Sequence, residues 1–147
     1  MRAKCLMYCV ALFSCIAPVE IHIAAAQQFL FFSNLISFYL STQGNKTDII
    51  ICSYEDHFLV IATQIGSMGT ILHARKEEGM TTEPNFSVSV VLGKRDEVLL
   101  LACARQIIEH ISSSGSSRSL VLSLGLKDHS MSTLKSIVST VKESRVW

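Results

Sequence analysis

The chain has no apolar run long enough to cross a bilayer, no cluster of Lys and Arg, no C-x-x-C and no internal repeat. Each lack narrows what it can do. A membrane-spanning helix needs about 20 apolar residues, and neither Cys5–Val19 nor Phe29–Leu40 reaches that. Setting aside Arg2, Lys4 and Glu20, the 13 basic and 12 acidic residues balance at 11 each over residues 44–147. A neutral body of this kind argues against nucleic acid, which is met with clustered Lys and Arg. Three of the five cysteines (Cys5, Cys9, Cys15) fall near the N-terminus. Cys52, in a strand pattern, and Cys103, in a helix pattern, read as buried reduced thiols rather than a disulfide or metal pair.

What is present is apolar. The 147 residues are 49% hydrophobic and only 17% charged, enough for one domain around a single core. Residues 1–43 hold just three charges. Arg2 and Lys4 precede Cys5–Val19, and Ala24–Ala26 before Gln27 resembles a small-residue cleavage site, the outline of a secretory signal peptide. Pro18, Glu20 and His22 interrupt that outline, and a buried or disordered extension or a misassigned first exon are the competing readings. Asn45-Lys46-Thr47 and Asn85-Phe86-Ser87 match the glycosylation pattern, which matters only on the secretory route.

From Thr47 the pattern becomes compact. Asp48–Tyr54 and His57–Ile65 are strand candidates joined by a tight turn at Glu55-Asp56. Gly66-Ser67-Met68-Gly69 reads as a second hairpin turn, leading into Thr70–Ala74. Arg75–Pro84 breaks the periodicity, and Phe86–Leu92 resumes it with Phe86, Val88, Val90 and Leu92 on one face. A helix is expected from near Asp96, with Asp96 and Glu97 as its capping acids. Its apolar stripe is Leu100, Ala104, Ile107, Ile108 and Ile111. A Ser-rich loop at Ser112–Ser119 ends it. Leu120–Leu126 is a further strand, and a last helix capped by Ser130 carries Leu134, Ile137, Val138 and Val141.

The order ββββαβα predicts an α+β (mixed α/β) domain: a largely antiparallel sheet of about five to six strands, with two helices on one face. Ile49–Cys52 and Phe58–Ala62 are apolar on both faces, the habit of strands covered on both sides. The second face therefore predicts a dimer packed sheet against sheet.

No catalytic set emerges. Lys127-Asp128-His129-Ser130 carries the residue types of a triad, but triad members converge from distant positions. Asp128 and Ser130 are capping types at a helix start. Gly93-Lys94 lacks the spacing of a phosphate loop, and His57, His73, His110 and His129 share no ligand spacing. What remains is Arg75, Lys76, Glu77, Glu78 and Glu83, which crowd both signs of charge into the connection after Ala74. A solvated loop is the plain reading; the functional one is an electrostatic contact that steers a protein partner.

Phe58–Leu72, with its Thr-Gln-x-Gly-x-Met-Gly-Thr core from Thr63 to Thr70, together with Val90–Gly93, Leu124–Ser130 and the closing Val146-Trp147, resembles the proteasome assembly chaperone 3 family, closest to its plant members. The resemblance spans residues 44–147. It implies a non-enzymatic chaperone, without cofactor or metal, that dimerises with a chaperone-4-like relative. It also implies that the pair guides α-ring assembly by engaging 20S α-subunits, in the cytoplasm and also the nucleus; a homodimer is the variant of that reading.

Residues 1–43 depart from the family, whose members begin with a short polar lead-in or first strand. An alternative first exon or translated intron fits that departure better than a signal peptide in residues 1–26, which would send the chain to the secretory pathway. Two other functions stay open: a secreted or membrane-anchored small binding domain, and a small hydrolase using His129 and Ser130.

Overall fold

The computed structural model describes residues 34–42, 44–79 and 84–147. Six strands form one sheet: β1 (Asn34–Thr42), β2 (Asn45–Ser53), β3 (His57–Thr63), β4 (Thr70–Glu77), β5 (Asn85–Leu92) and β6 (Ser119–Gly125). Helix α1 (Val98–Ser113) joins β5 to β6, and α2 (Met131–Glu143) follows β6. The strand order is β1-β2-β3-β6-β4-β5, antiparallel throughout except for the β3–β6 pair. The expected α+β class is the one observed.

Register sorts the side chains. Ile49, Ile51, Phe58, Val60, Ala62, Leu72, Ala74, Leu120, Leu122 and Leu124 lie on one side and are buried with the stripes of both helices in a single core. Ile107, Ile108 and Ile111 of α1 meet Leu134, Ile137 and Val141 of α2 within that core. The stripes were legible because each helix keeps its apolar residues at i, i+3, i+4 spacing. The chain end closes the same side: the Trp147 ring meets Phe58 edge-on at 5.5 Å, and Arg118 covers Phe58 at 3.8 Å.

Four departures have physical causes. First, part of the apolar extension is structural: Asn34–Thr42 is an edge strand, paired with β2 from Asn34↔Ser53 to Thr42↔Asn45. Its alternation of Ile36, Phe38 and Leu40 with Ser37 and Ser41 is a strand signal hidden in a longer apolar block. The rest of the signal-like segment, residues 1–33, lies outside the described residues.

Second, the Gly66–Gly69 turn is not a hairpin. β6 lies between β3 and β4, so the turn carries the chain across the end of β6. A Cβ on Gly69 would sit 2.2 Å from the Leu124 carbonyl oxygen, and one on Gly125 would sit 2.3 Å from that of Ser67. Both glycines are there because two backbones pass too closely for side chains.

Third, the register of β4 against β5 shifts between Ile71 and Leu72, which face Leu92 and Val90. The bulge lifts Leu92 out of the row of Phe86, Val88 and Val90, which alone pack against the core. Fourth, α1 begins at Val98 with Glu97 in the N-cap position, as expected near Asp96, but the Glu97 side chain makes no capping bond. Ser130 does cap α2, its hydroxyl accepting from the Thr133 amide.

Candidate functional site

The triad-like residue types of the loop before α2 are spent on structure. Asp128 accepts from the Ser130 amide at 2.9 Å, the Ser130 hydroxyl at 2.7 Å and the Thr133 hydroxyl at 2.5 Å. The Thr133 and Ser130 donors hold its carboxyl below the usual carboxylate range. His129 turns the other way, pairing with Glu97 through Nδ1 and approaching the Leu126 carbonyl through Nε2 at 3.2 Å. No bond joins His129 to Ser130, so a base is not presented to that hydroxyl. Burial pushes the Cys103 thiol up to about 12, against a weaker opposing pull from Lys142, which leaves it a poor nucleophile at neutral pH. Among the described residues, no three of His, Cys, Asp and Glu gather as a metal site would require.

The motif from Thr63 to Thr70 proves to be a junction. Gln64 Oε1 accepts from the amides of Lys127 and Asp128 at 2.9 and 3.1 Å, while its Nε2 donates to Thr47 at 3.0 Å. The Thr63 hydroxyl donates to the Ser67 carbonyl at 2.9 Å, and the Gln64 amide to that of Gly125 at 2.8 Å. The two most distinctive segments, Thr63–Thr70 and Leu124–Ser130, are thus halves of one strand crossing. Their residues serve the topology.

The charged candidates are arranged differently from a loop. Arg75, Lys76 and Glu77 continue β4, opposite Ser87, Phe86 and Asn85 of β5, and Glu78 follows the strand. Strand alternation places Arg75 and Glu77 on the side away from the helices and Lys76 on the other. Arg75, Lys76 and Glu78 are exposed; Glu77 is half-buried, with Asn85 Nδ2 3.4 Å from its carboxylate. Glu83 lies outside the described residues. The strand was missed because Arg-Lys-Glu carries no apolar alternation at a sheet margin.

On that same side lie Ile50, Cys52, Leu59, Ile61, Val121 and Ile71. Among the described residues neither helix packs there, and Leu59 and Ile61 are only 5% and 4% exposed. His73 shares this side, opposite Val121. Burial first, then the charges of Arg75 and His57, hold His73 below its ordinary value.

A second feature escaped sequence reasoning altogether. Ile65, Leu92, Val98 and Met131 are all large apolar residues left exposed, and all lie at the sheet end where β3, β5 and β6 finish and both helices begin. Tyr39 is exposed near the same end, opposite Asp48. The contact of His129 Nδ1 with the Glu97 carboxylate sets the first turns of α1 and α2 side by side there. Periodicity finds apolar residues but not which of them the fold leaves uncovered, so no sequence signal marked this patch.

Comparison with known proteins agrees with the fold and adds what geometry cannot. The family model described as proteasome assembly chaperone 3 matches residues 60–144. Proteasome assembly chaperone 3 of Bos taurus is 30% identical over 107 residues, spanning 71% of this chain and 86% of its own. Its Homo sapiens counterpart is 29% identical over 106 residues, with the same two shares, 71% and 86%. A solved structure titled "Crystal Structure of a Novel Chaperone Complex for Yeast 20S Proteasome Assembly" shares the fold, with TM-score 0.60 at 15% identity. That likeness covers 77% of this chain and 98% of the other. The chain belongs to the proteasome assembly chaperone 3 family.

Proposed function

We propose that this chaperone acts without catalysis, as a dimer with a chaperone-4-like relative, and that the pair engages α-subunits of the 20S core particle while the α-ring assembles. The observation that carries the dimer is the two-sided sheet. The side away from the helices has an apolar centre (Ile50, Leu59, Ile61, Val121) and a polar margin (Lys46, Asp48, Arg75, Glu77), the anatomy of a protein–protein interface. Strands of seven to nine residues make that side roughly 25 Å by 25 Å. Such an area approaches the ~800 Å² that each partner of a stable complex contributes.

The margin at Arg75, Lys76, Glu77 and Glu78, with Glu83 of the adjoining sequence, and the apolar end around Val98 and Met131 supply contacts for the client. Apolar surface left uncovered is what a chaperone needs to hold a partner that later leaves. A non-enzymatic role is supported by the engagement of Asp128, His129 and Ser130 in structural bonds. A role beside nascent proteasomes goes with the cytoplasm, and also the nucleus, as the proposed location. Family membership favours this reading over a secreted binding domain.

The test is recovery of the full chain, tagged at its C-terminus, from cells. Co-purification of a chaperone-4-like protein and α-subunits without mature β-subunits is the expected result. Recovery with secretory proteins alone would overturn the proposal, and mass spectrometry of the native N-terminus in the same sample shows where residues 1–43 end up.

A further inference from the structure

β5 closes one edge of the sheet: among the described residues it pairs with β4 and with no other strand. Its eight residues, Asn85–Leu92, include no charge and no proline. Charge, proline and bulges are what keep an open edge from pairing with a further strand. The register shift opposite Ile71 and Leu72 leaves Val91 unpaired, so only the last two residues of β5 depart from a regular edge. Asn85–Val90 runs evenly along β4, from Asn85↔Glu77 to Val90↔Leu72. Phe86, Val88 and Val90 pack against the core yet stay only half-buried. The charges sit beyond the two ends of the strand. Lys94 is held by Glu97 at 3.4 Å, but Arg95 past one end and Glu78 beside the other are exposed, and no ion pair among the described residues engages either. The opposite edge differs. β1 is also uncharged, but the charges beside it, Lys46 and Asp48, approach each other at 3.6 Å.

We propose that the β5 edge pairs antiparallel with β5 of a second copy of this chain, with Arg95 of each copy meeting Glu78 of the other. Two identical antiparallel strands are related by a two-fold axis normal to the sheet, so both copies keep their helices on the same side. An axis near Val88 and Ser89 sets Phe86, Val88 and Val90 of one copy beside the same row of the other, which extends the core across the seam. Ser87 and Ser89 meet their counterparts on the far side. The same axis carries Arg95 of each copy to the end of β5 where Glu78 of the other lies, so both exposed charges are matched, and matched twice. That self-complementarity selects a second copy as the occupant, since charge matching across a contact sets its register and specificity. At strand spacing β5 is about 26 Å long, and one such edge buries less than the ~1,200 Å² of a standard stable complex. The pairing is therefore reversible and depends on concentration. It uses an edge and neither side of the sheet, so it does not rest on the pairing with a relative.

The experiment measures self-association of the full chain alone by sedimentation over a concentration series, at low and high salt, with every variant checked for fold by circular dichroism. Ser89 is exposed, and Ser89→Lys sets like charges against each other near the axis. It is expected to weaken self-association roughly tenfold or more. Gln106→Lys adds the same charge on the exposed side of α1 and is expected to leave self-association unchanged. Glu78→Arg and Arg95→Glu are each expected to weaken it roughly three- to tenfold at low salt and less at high salt, and the double variant to recover it. A chain that stays monomeric across the series overturns the proposal, as does a folded Ser89→Lys that associates like the wild type. An equal loss in Gln106→Lys assigns the effect to net charge and overturns it too. Loss in Ile50→Glu with wild-type association in Ser89→Lys would put the second copy on the sheet face and not on the β5 edge. Should Ser89→Lys fail to fold, the charge exchange decides: a double variant no better than either single one overturns the meeting of Arg95 with Glu78, and the proposal with it.

Discussion

His73 is half-buried in the sheet, and burial, aided by Arg75 and His57, holds its pKa below the ordinary 6.5. Its neutral form is the one the fold accommodates. As pH falls from about 6.5 toward the lowered value, the unfolded chain takes up a proton that the folded chain resists, so stability declines with acidification through that window. Above it, the residue adds no slope. His73→Gln should therefore flatten the fall in unfolding temperature between neutral and mildly acid pH, whereas His110→Gln serves as a control outside this cluster. An acid-side slope identical to the wild type's in His73→Gln would mean that the proton is taken up elsewhere. Glu97 illustrates a different lesson at this scale. Its position suggested a capping acid, but its carboxylate is shared between His129 and Lys94, the latter at 3.4 Å, and α1 starts without a side-chain cap.

The elements are held in order by the crossing at the end of β6. Gly69 lies against the Leu124 carbonyl of β6 and Gly125 against the Ser67 carbonyl of the β3–β4 connection, so a methyl group at either must displace main chain rather than a flexible side chain. Gly125→Ala is expected to cost roughly 2–4 kcal/mol in urea unfolding, the range of a steric insertion that the surroundings cannot absorb. Gly115→Ala is the comparison: its φ is +93° but nothing lies near its Cβ, so only the backbone penalty of roughly 1 kcal/mol applies. Equal costs at the two sites would refute the close crossing. This crossing also shows what was legible. Helix stripes, the Ser130 cap and five of the six strands follow from spacing, because period and cap chemistry are local. Strand order is not local: Gly66–Gly69 has the wording of a hairpin, and only the distant Gly125 shows that another strand intervenes. β1 was obscured for the opposite reason, its alternation lying inside an apolar block too long to suggest an edge strand. The charged candidate residues were legible as a cluster, while their place on a strand was not.

At the scale of the whole sheet, the described residues form two unlike ends. The β3, β5 and β6 ends gather exposed apolar residues, whereas the opposite end carries charge of both signs, Glu55 and Asp56 between β2 and β3 and Arg75, Lys76, Glu77 and Glu78 at the close of β4. An apolar contact and a charged one make different demands on a partner: the first governs how long a complex lasts, the second how quickly it forms. A chaperone that must bind during assembly and then leave has use for both. Reversing Glu77 and Glu78 to Lys should slow association with an isolated α-subunit by roughly three- to tenfold at low salt while leaving dissociation almost unchanged. The difference should shrink as added salt shortens the screening length to about 10 Å and below. Because Asn85 lies against Glu77, Glu78→Lys alone is the cleaner comparison and should show a smaller effect of the same sign. Stopped-flow or surface-plasmon kinetics at two salt concentrations separates the rates. An effect confined to dissociation, or one that salt does not diminish, would place this margin inside a desolvated contact rather than at a steering rim. An unchanged association rate at low salt would remove Arg75–Glu78 from client recognition and leave the apolar end around Val98 and Met131 as the surface that meets the α-subunit.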